Sequence, residues 1–130
     1  MIYGIGIDIV NIERMKRAVE KWGNRFLERV FTEMEISYCY EKRNPFLSLA
    51  VRFAAKEALI KAVGSINSIS LKDIEVVNVD GGKPILRLRG KFNEFFQMHK
   101  IEKVHLSLSH EYDYGIACVV LEQGEIGEMI

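Results

Sequence analysis

Alternation of large apolar residues with small or polar ones predicts that the chain begins with a β-strand over residues 2–10. Ile5, Ile7 and Ile9 point to one side of this strand, and the other side carries two glycines and Asp8. Because the isoleucine side is strongly apolar, we expect it to face the core. Glycine inside a strand often marks the close approach of another backbone or of a ligand, so the side with Asp8 is a candidate for a site.

Helical spacing of apolar residues follows the strand and predicts several helices. Asn11 has the side chain of an N-cap for a short helix, and Thr32 with Glu35 forms a capping box for another. The longest helix is predicted to run from Pro45 to Gly64. Apolar residues cover most of its sides, so we expect it to be largely buried.

The second half of the chain is patterned mainly as strands. The runs, in chain order, are a strand over 74–79, a strand over 85–90, a helix over 91–100, and strands over 104–110 and 114–123. Each pair of strands is separated by a short turn, which predicts two hairpins. We therefore expect a single α+β domain over residues 1–130, with an antiparallel sheet packed around the long helix. Residues 124–130 are read as a loose or docking tail.

Composition narrows the classes of function. The 130 residues include 18 Lys and Arg against 18 Asp and Glu, which argues against a globally basic nucleic-acid binder. No apolar run reaches the roughly 20 residues of a membrane helix, so no membrane partner is expected. Cys39 and Cys118 lack the spacing of a zinc or redox pair and are expected to be reduced core thiols. The N-terminus has no basic leader or cleavage site, which favours a cytoplasmic protein.

Two carboxylates stand out by their surroundings. Asp8 lies on the glycine-flanked strand, and Glu57 interrupts the apolar long helix. Mg²⁺ needs only one or two protein carboxylates when water and substrate phosphate complete its octahedron, so the pair could hold this ion. Spacing alone favours a simpler alternative, in which Glu57 pairs with Lys61 and Asp8 ends its strand by bonding to nearby backbone.

Further polar residues leave their roles open. Glu57 and Lys61 share a helix face, and Lys61 could grip a phosphate, whereas Arg52 and Lys56 follow a different line that suits a solvated or salt-bridged flank. Residues 82–84 form either a plain hairpin tip or a ligand-clamping loop. His105 is most simply a strand histidine with a satisfied ring, although it could act as a base or bind phosphate.

Five segments occur in the order seen in one known family. They are GIGIDIV at 4–10, FTEMEISYC at 31–39, RFAAKEALIKAVG at 52–64, GKP at 82–84 and HLSLSH at 105–110. Over nearly its whole length the chain resembles the holo-acyl-carrier-protein synthases, the small bacterial 4'-phosphopantetheinyl transferases. The first and third segments look like the two signature motifs of that family, G-x-D and F-(A/S)-x-K-E-(A/S)-x-x-K. Their joint occurrence at this separation is specific.

The resemblance implies transfer of the 4'-phosphopantetheine arm of coenzyme A to a serine of apo acyl carrier protein, as in fatty acid biosynthesis. Adenosine 3',5'-bisphosphate is the other product. Asp8 and Glu57 match the acids that bind Mg²⁺ against the coenzyme A pyrophosphate, and Lys61 matches the lysine that contacts the transferred phosphate. These three are the implied catalytic residues. Glu57 and a water on the metal both remain open as acceptor of the serine proton.

The resemblance also implies two binding surfaces. Coenzyme A would contact Lys42, Arg43, Arg52, Lys61, Gly64, Gly82, Lys83, Pro84 and His105. The acidic helix of the carrier protein would dock on Arg14, Arg17, Lys21, Arg25 and Phe26, although a solvated helix face explains Lys21 equally well. Members of the family are homotrimers with coenzyme A sites between subunits, and we expect the same assembly here.

Two features depart from the family pattern. Glu111 and Tyr112 follow His110 where relatives often have a small hydroxyl and a basic residue, and the tail runs past the usual end.

Two other functions compete with phosphopantetheine transfer. A non-catalytic trimeric module that binds carrier protein or nucleotide is one alternative. A different phosphoryl transferase that uses the same metal pair is the other.

Overall fold

The structure, a computed structural model, describes residues 1–124 of the 130. Apart from its first residue, the tail predicted at 124–130 lies outside the described residues. The helices are α1 (Ile12–Trp22), α2 (Asn24–Val30), α3 (Glu33–Tyr40), α4 (Pro45–Val63) and α5 (Lys91–Met98). The strands are β1 (Ile2–Asn11), β2 (Ile74–Val79), β3 (Lys83–Leu88), β4 (Ile101–Glu111) and β5 (Tyr114–Gln123). None of the described helices combines the length and hydrophobicity needed to cross a membrane.

The strands form two antiparallel sheets, and the long helix α4 packs against both. One sheet has the order β1-β5-β4, and the other is the β2-β3 hairpin. Helix α4 lies across β1 and β5 and also contacts β2. The predicted α+β class and the two hairpins are confirmed, with the strands divided between two sheets.

The predicted starts of α1, α3 and α4 and the end of α4 are confirmed by their caps, whereas the helix predicted over 91–100 ends at Met98 and the strand predicted over 85–90 runs from Lys83 to Leu88. The Asn11 side chain accepts a hydrogen bond from the backbone N–H of Arg14, and Thr32 with Glu35 closes a full capping box at α3. Pro45 is the first residue of α4, and Gly64 ends this helix with a positive φ of 89°. These side chains satisfy donors that a helix end would otherwise leave unpaired.

The prediction for the two sides of β1 is wrong. Ile5, Ile7 and Ile9 are 60%, 61% and 59% exposed, and the glycine side faces the core instead. A Cβ at Gly4 would lie 2.0 Å from the carbonyl oxygen of Ala62, and one at Gly6 would lie 1.8 Å from that of Ala58. The two glycines therefore let the strand lie directly on the backbone of α4, and the isoleucines are turned outward.

Lys56, expected on a solvated or salt-bridged flank, is fully buried in a salt bridge. Its Nζ donates to Glu35 Oε1 at 2.7 Å and to the carbonyl oxygens of Leu71, at 3.0 Å, and Ile74. The other oxygen of Glu35 accepts from the N–H of Val76 at 2.9 Å. Burial lowers the pKa of Lys56, and the charge of Glu35 opposes that shift. The pair ties α4 to α3 and β2.

The two cysteines are unpaired thiols, and only one lies in the core. Cys39 on α3 is fully buried, and this burial raises the pKa of its thiol. Cys118 on β5 is half-buried and pairs across the sheet with Ile7 and Ser107. It therefore belongs to the outer face of the three-stranded sheet, together with the exposed isoleucines.

Candidate active site

Asp8 and Lys61 form the centre of the candidate site. Asp8 follows Gly6 on the side of β1 that faces α4, and Lys61 lies in the last turn of that helix. Lys61 Nζ donates to Asp8 Oδ1 at 2.9 Å and to the carbonyl oxygen of Ile7 at 3.0 Å. The lysine side chain is 55% exposed, so its charge stays accessible to a ligand. Close packing of β1 on α4 thus joins two residues that are 53 positions apart.

Glu57 completes a group of three charges. It lies one helical turn before Lys61 and is half-buried. Burial raises the pKa of the Glu57 carboxyl, the nearby charge of Asp8 raises it further, and Lys61 partly opposes both effects. Asp8 and Glu57 line one cavity of about 380 Å³, together with Arg14, Phe26, Phe53 and neighbouring residues. The predicted grouping of Asp8, Glu57 and Lys61 is therefore present in the fold.

The two carboxylates fit a hard divalent cation better than a soft one. They are oxygen donors, and the pKa of Glu57 is raised first by burial and then by the charge of Asp8, a repulsion that a cation between the two carboxylates would relieve. Among residues 1–124 no group of three or more His, Cys, Asp or Glu is placed to hold a metal ion. A cation at Asp8 and Glu57 would therefore take most of its ligands from water and substrate, as Mg²⁺ does at phosphate sites.

A second, cationic cavity lies at the start of α4. Its volume is about 310 Å³, and its lining includes Lys42, Ser48, Arg52 and His110. Arg52 is only 5% exposed, and it donates to Ser48 Oγ at 3.1 Å and to Asn78 Oδ1 at 2.6 Å. Its Nε is buried, and the described part of the chain offers it no hydrogen-bond partner. A buried guanidinium with a spare donor, facing a lysine across a cavity, suits an anion.

The hairpin tip is tied to this cationic cavity through Asn78. The Nδ2 of Asn78 donates to the carbonyl oxygen of Gly82 at 2.8 Å, while its Oδ1 accepts from Arg52. Gly82 has a φ of 84°, which a residue with a side chain rarely adopts. Lys83 and Pro84 open β3 directly after this turn. The tip is therefore attached to α4 by a specific hydrogen-bond relay.

Three predicted coenzyme A residues lie apart from the two cavities. His105 is on the outer face of the three-stranded sheet, where it pairs with Glu122 at 2.8 Å. That hydrogen bond lowers the pKa of Glu122. Gly64 ends α4 three residues after Lys61, and Arg43 is exposed in the loop that precedes α4. Within one chain, the sheet itself separates His105 from the α4 side.

The predicted docking surface lies on α1 and α2, at the edge of the Asp8 cavity. Its four cations, Arg14, Arg17, Lys21 and Arg25, are exposed, and Phe26 is half-buried. Phe26 lines the Asp8 cavity and also a neighbouring one of about 330 Å³, which is lined by Trp22, Arg25 and Arg29 as well. This aromatic side chain thus forms a wall between the basic surface and the carboxylates.

Sequence reasoning missed three residues in these surroundings. Trp22 ends α1, is 60% exposed and lies under Lys21, whose Nζ is 5.0 Å from the ring centroid. Tyr38 on α3 and Asn78 on β2 both contact Arg52. The only sequence signal for Asn78 is an amide side chain beside a glycine turn.

Comparisons with known proteins identify the family of the chain. The sequence model of the 4'-phosphopantetheinyl transferase superfamily matches residues 4–119. The holo-acyl-carrier-protein synthase of Halothermothrix orenii is 48% identical over 125 residues, which cover 95% of this chain and 100% of that protein. The crystal structure of the Neisseria meningitidis enzyme of that name superposes with a TM-score of 0.87 at 38% identity, covering 95% of this chain and 100% of that one.

A third relative has been solved with a ligand. The holo-acyl-carrier-protein synthase of Bacillus anthracis, in complex with coenzyme A (3',5'-ADP), has a TM-score of 0.77 at 40% identity and covers 95% of this chain and 99% of its own. Identity at this level over nearly complete chains shows common descent and a common fold. The chain therefore belongs to the holo-acyl-carrier-protein synthases of the 4'-phosphopantetheinyl transferase superfamily.

Proposed function

We propose that this protein transfers 4'-phosphopantetheine from coenzyme A to a serine of apo acyl carrier protein, in the cytoplasm, as a step in fatty acid biosynthesis. The products are holo acyl carrier protein and adenosine 3',5'-bisphosphate. The observation that carries the proposal is a cavity lined by Asp8 and Glu57, with Lys61 bonded to Asp8 and with the basic surface of α1 and α2 at the edge of the cavity. Such a cavity can receive a pyrophosphate from one side and a carrier protein from the other.

In the proposed reaction the serine oxygen attacks the phosphorus that carries the pantetheine arm. A new P–O bond forms there, the bond from this phosphorus to the bridging oxygen breaks, and adenosine 3',5'-bisphosphate leaves. Lys61, half-exposed and held by Asp8, places a positive charge where the transferred phosphate would lie. The acceptor of the serine proton is either Glu57 or a water in the cavity that Glu57 lines.

Asp8 and Glu57 are the residues that would hold Mg²⁺. When bound, the ion would neutralise negative charge on the pyrophosphate of coenzyme A. The two carboxylates leave room for this arrangement, since the other positions of an octahedral ion can be filled by water and phosphate oxygens. Arg14 and Phe26 line the same cavity and would border the approach of the serine.

The cationic cavity is the proposed site of the nucleotide end of coenzyme A. Lys42 and the buried Arg52, which has a spare donor, suit a phosphate, and Arg43 follows Lys42 in the exposed loop before α4. Gly82 is tied to Arg52 through Asn78, and Lys83 and Pro84 follow it at the start of β3, so these three residues would border this end. Gly64, exposed at the end of α4, would contribute backbone only.

The proposed enzyme is a homotrimer with sites between subunits. The isoleucines of β1 continue across the sheet into Ile116 and Val120 of β5, which makes one apolar outer face. An exposed face of this kind is typical of a surface that binds another protein chain. His105 lies on the same face, so it would reach the coenzyme A site of a neighbouring subunit rather than its own.

The docking surface would bind acyl carrier protein through charge. Arg14, Arg17, Lys21 and Arg25 project from α1 and α2, while Phe26 supplies an apolar contact. Cations on such a surface attract an acidic partner, mainly raise the rate of encounter, and lose this effect as salt increases.

Mass spectrometry of the carrier protein tests the proposal directly. The protein is incubated with coenzyme A, Mg²⁺ and apo acyl carrier protein, and the carrier is expected to gain the mass of phosphopantetheine. Asp8→Ala and Glu57→Ala should each abolish the gain, whereas Glu94→Ala, at an exposed glutamate of α5, should not. A carrier that never gains mass at any Mg²⁺ concentration contradicts the proposed activity. Full transfer by either of the first two variants contradicts the site assignment.

A further inference from the structure

Two cations lie against the same aromatic ring at the edge of the cationic cavity. The Cζ of Arg52 is 4.2 Å from the centroid of the Tyr38 ring, and Lys42 Nζ is 4.4 Å from it. Tyr38 is half-buried on α3, one helix away from Arg52 on α4. The proposed reaction gives Tyr38 no role, so these contacts call for a separate explanation.

The ring lowers the energetic cost of bringing two positive charges together. Two like charges that line one cavity repel, and the negative face of an aromatic ring offsets part of that repulsion. Arg52 is fixed further by Ser48 Oγ and Asn78 Oδ1, while its Nε remains a buried donor that the described chain leaves unpaired. An anion in the cavity would satisfy this donor and both charges at once.

We propose that Tyr38 is a positioning residue that holds Lys42 and Arg52 ready for the 3'-phosphate of coenzyme A. The inference rests on the proposed function, which places the pyrophosphate beside Asp8, Glu57 and Lys61. Coenzyme A carries one further phosphate, on the 3'-oxygen of its ribose. The cationic cavity is separate from the Asp8 cavity and has the charge for this group. By fixing two flexible cations before the ligand arrives, the ring reduces the entropy lost on binding.

A comparison of coenzyme A with dephospho-coenzyme A, which lacks the 3'-phosphate, tests the role of Tyr38. Tyr38→Leu removes the ring, and Tyr38→Phe keeps it. We expect Tyr38→Leu to raise KM for coenzyme A by about fivefold to thirtyfold, the range set by the strength of cation–π contacts, with kcat unchanged. KM for dephospho-coenzyme A should stay the same, and Tyr38→Phe should behave as wild type. An equal rise in KM for both donors, or a fall in kcat alone, overturns the proposal.

A second series avoids any loss of folding through the missing ring. Tyr38 is replaced by phenylalanine and by phenylalanines with one to three fluorine atoms, which keep the shape of the ring and weaken its negative face. Affinity for adenosine 3',5'-bisphosphate, measured by calorimetry, is expected to fall with each fluorine. A constant affinity across the series overturns the role of Tyr38. If the wild-type protein neither transfers phosphopantetheine nor binds this nucleotide, the proposed function itself fails, which is a distinct outcome.

Discussion

Gly6→Ala is expected to separate β1 from α4 and to disrupt the candidate active site. A Cβ at Gly6 would lie 1.8 Å from the carbonyl oxygen of Ala58 and 2.8 Å from the backbone nitrogen of Ala62. Both atoms belong to the backbone of a buried helix, so no flexible side chain can move aside. To reach van der Waals contact of about 3.5 Å, the strand would have to shift by roughly 1.5 Å.

The expected free-energy change is the balance of two effects. Overpacking a rigid core site costs about 1–3 kcal/mol, and the backbone contacts at Gly6 favour the upper end of that range. Alanine in a strand regains about 0.5–1 kcal/mol relative to glycine, because the unfolded chain has less freedom to lose. The steric cost prevails, so Gly6→Ala should lower the free energy of unfolding by at least about 2 kcal/mol.

Activity should fall even where the variant remains folded. Asp8 lies two residues beyond Gly6 and depends on the same contact with α4 for its salt bridge to Lys61. Displacement of a reacting group by about 1 Å can cost on the order of 100-fold in rate, so kcat/KM for phosphopantetheine transfer should fall by about that factor.

Urea unfolding followed by circular dichroism, together with the transfer assay, checks both expectations. Gly81→Ala is the control, since a Cβ there meets nothing within 4 Å, and its φ of 75° and ψ of 8° lie in the left-handed helical region that alanine can adopt at a small cost. The control should lose only about 1 kcal/mol through backbone strain and keep its activity. If Gly6→Ala unfolds at the wild-type urea concentration and transfers at the wild-type rate, the close approach of β1 to α4 is refuted.

Three further predictions concern the outer face, the buried ion pair and the thiols. Ile7→Glu should dissociate the proposed trimer, because each β1 isoleucine, about 60% exposed in the single chain, gains about 1–2 kcal/mol when a neighbouring subunit buries it. Light scattering that gives the wild-type mass for this variant contradicts the expectation. Lys56→Met should lower the free energy of unfolding by about 3–5 kcal/mol by leaving Glu35 buried without its cation, and a loss below 1 kcal/mol contradicts the network. Alkylation at pH 8, measured by mass spectrometry, should spare Cys39, because burial raises the pKa of its thiol. The Ile7→Glu variant should label faster at Cys118 than the wild type does. Rapid labelling of Cys39 in the folded protein contradicts its burial.

Local sequence rules predicted the starts of α1, α3 and α4 well, because the responsible interactions are local. Asn11 caps the helix that follows it, Thr32 and Glu35 bond to each other's backbone, and Pro45 has no N–H to leave unpaired. Each of these effects depends on residues no more than four positions apart. Tertiary packing therefore has little influence on where these helices begin.

The candidate site was predictable only in part. Helical spacing places Glu57 and Lys61 on one face, but the spacing favoured a pair between them, whereas Lys61 binds Asp8. Only tertiary packing brings Asp8 to the helix, and no local rule contains that information. The resemblance to the family supplied it from the joint presence of two motifs. Tyr38 escaped both routes, because its contact with Arg52 crosses between helices.

The error about β1 has a physical cause that also explains its exposed isoleucines. Alternation states which residues share a side of a strand, but it does not state which side lies inside the monomer. Glycine opposite Ala58 and Ala62 is a match of small residues, and it lets two backbones approach more closely than any pair of large side chains would permit. The isoleucines are then free to serve a second apolar surface. A strand with glycine on one side and isoleucine on the other can therefore bury both sides. The glycine side packs against its own helix, and in the proposed trimer the isoleucine side packs against a neighbouring subunit.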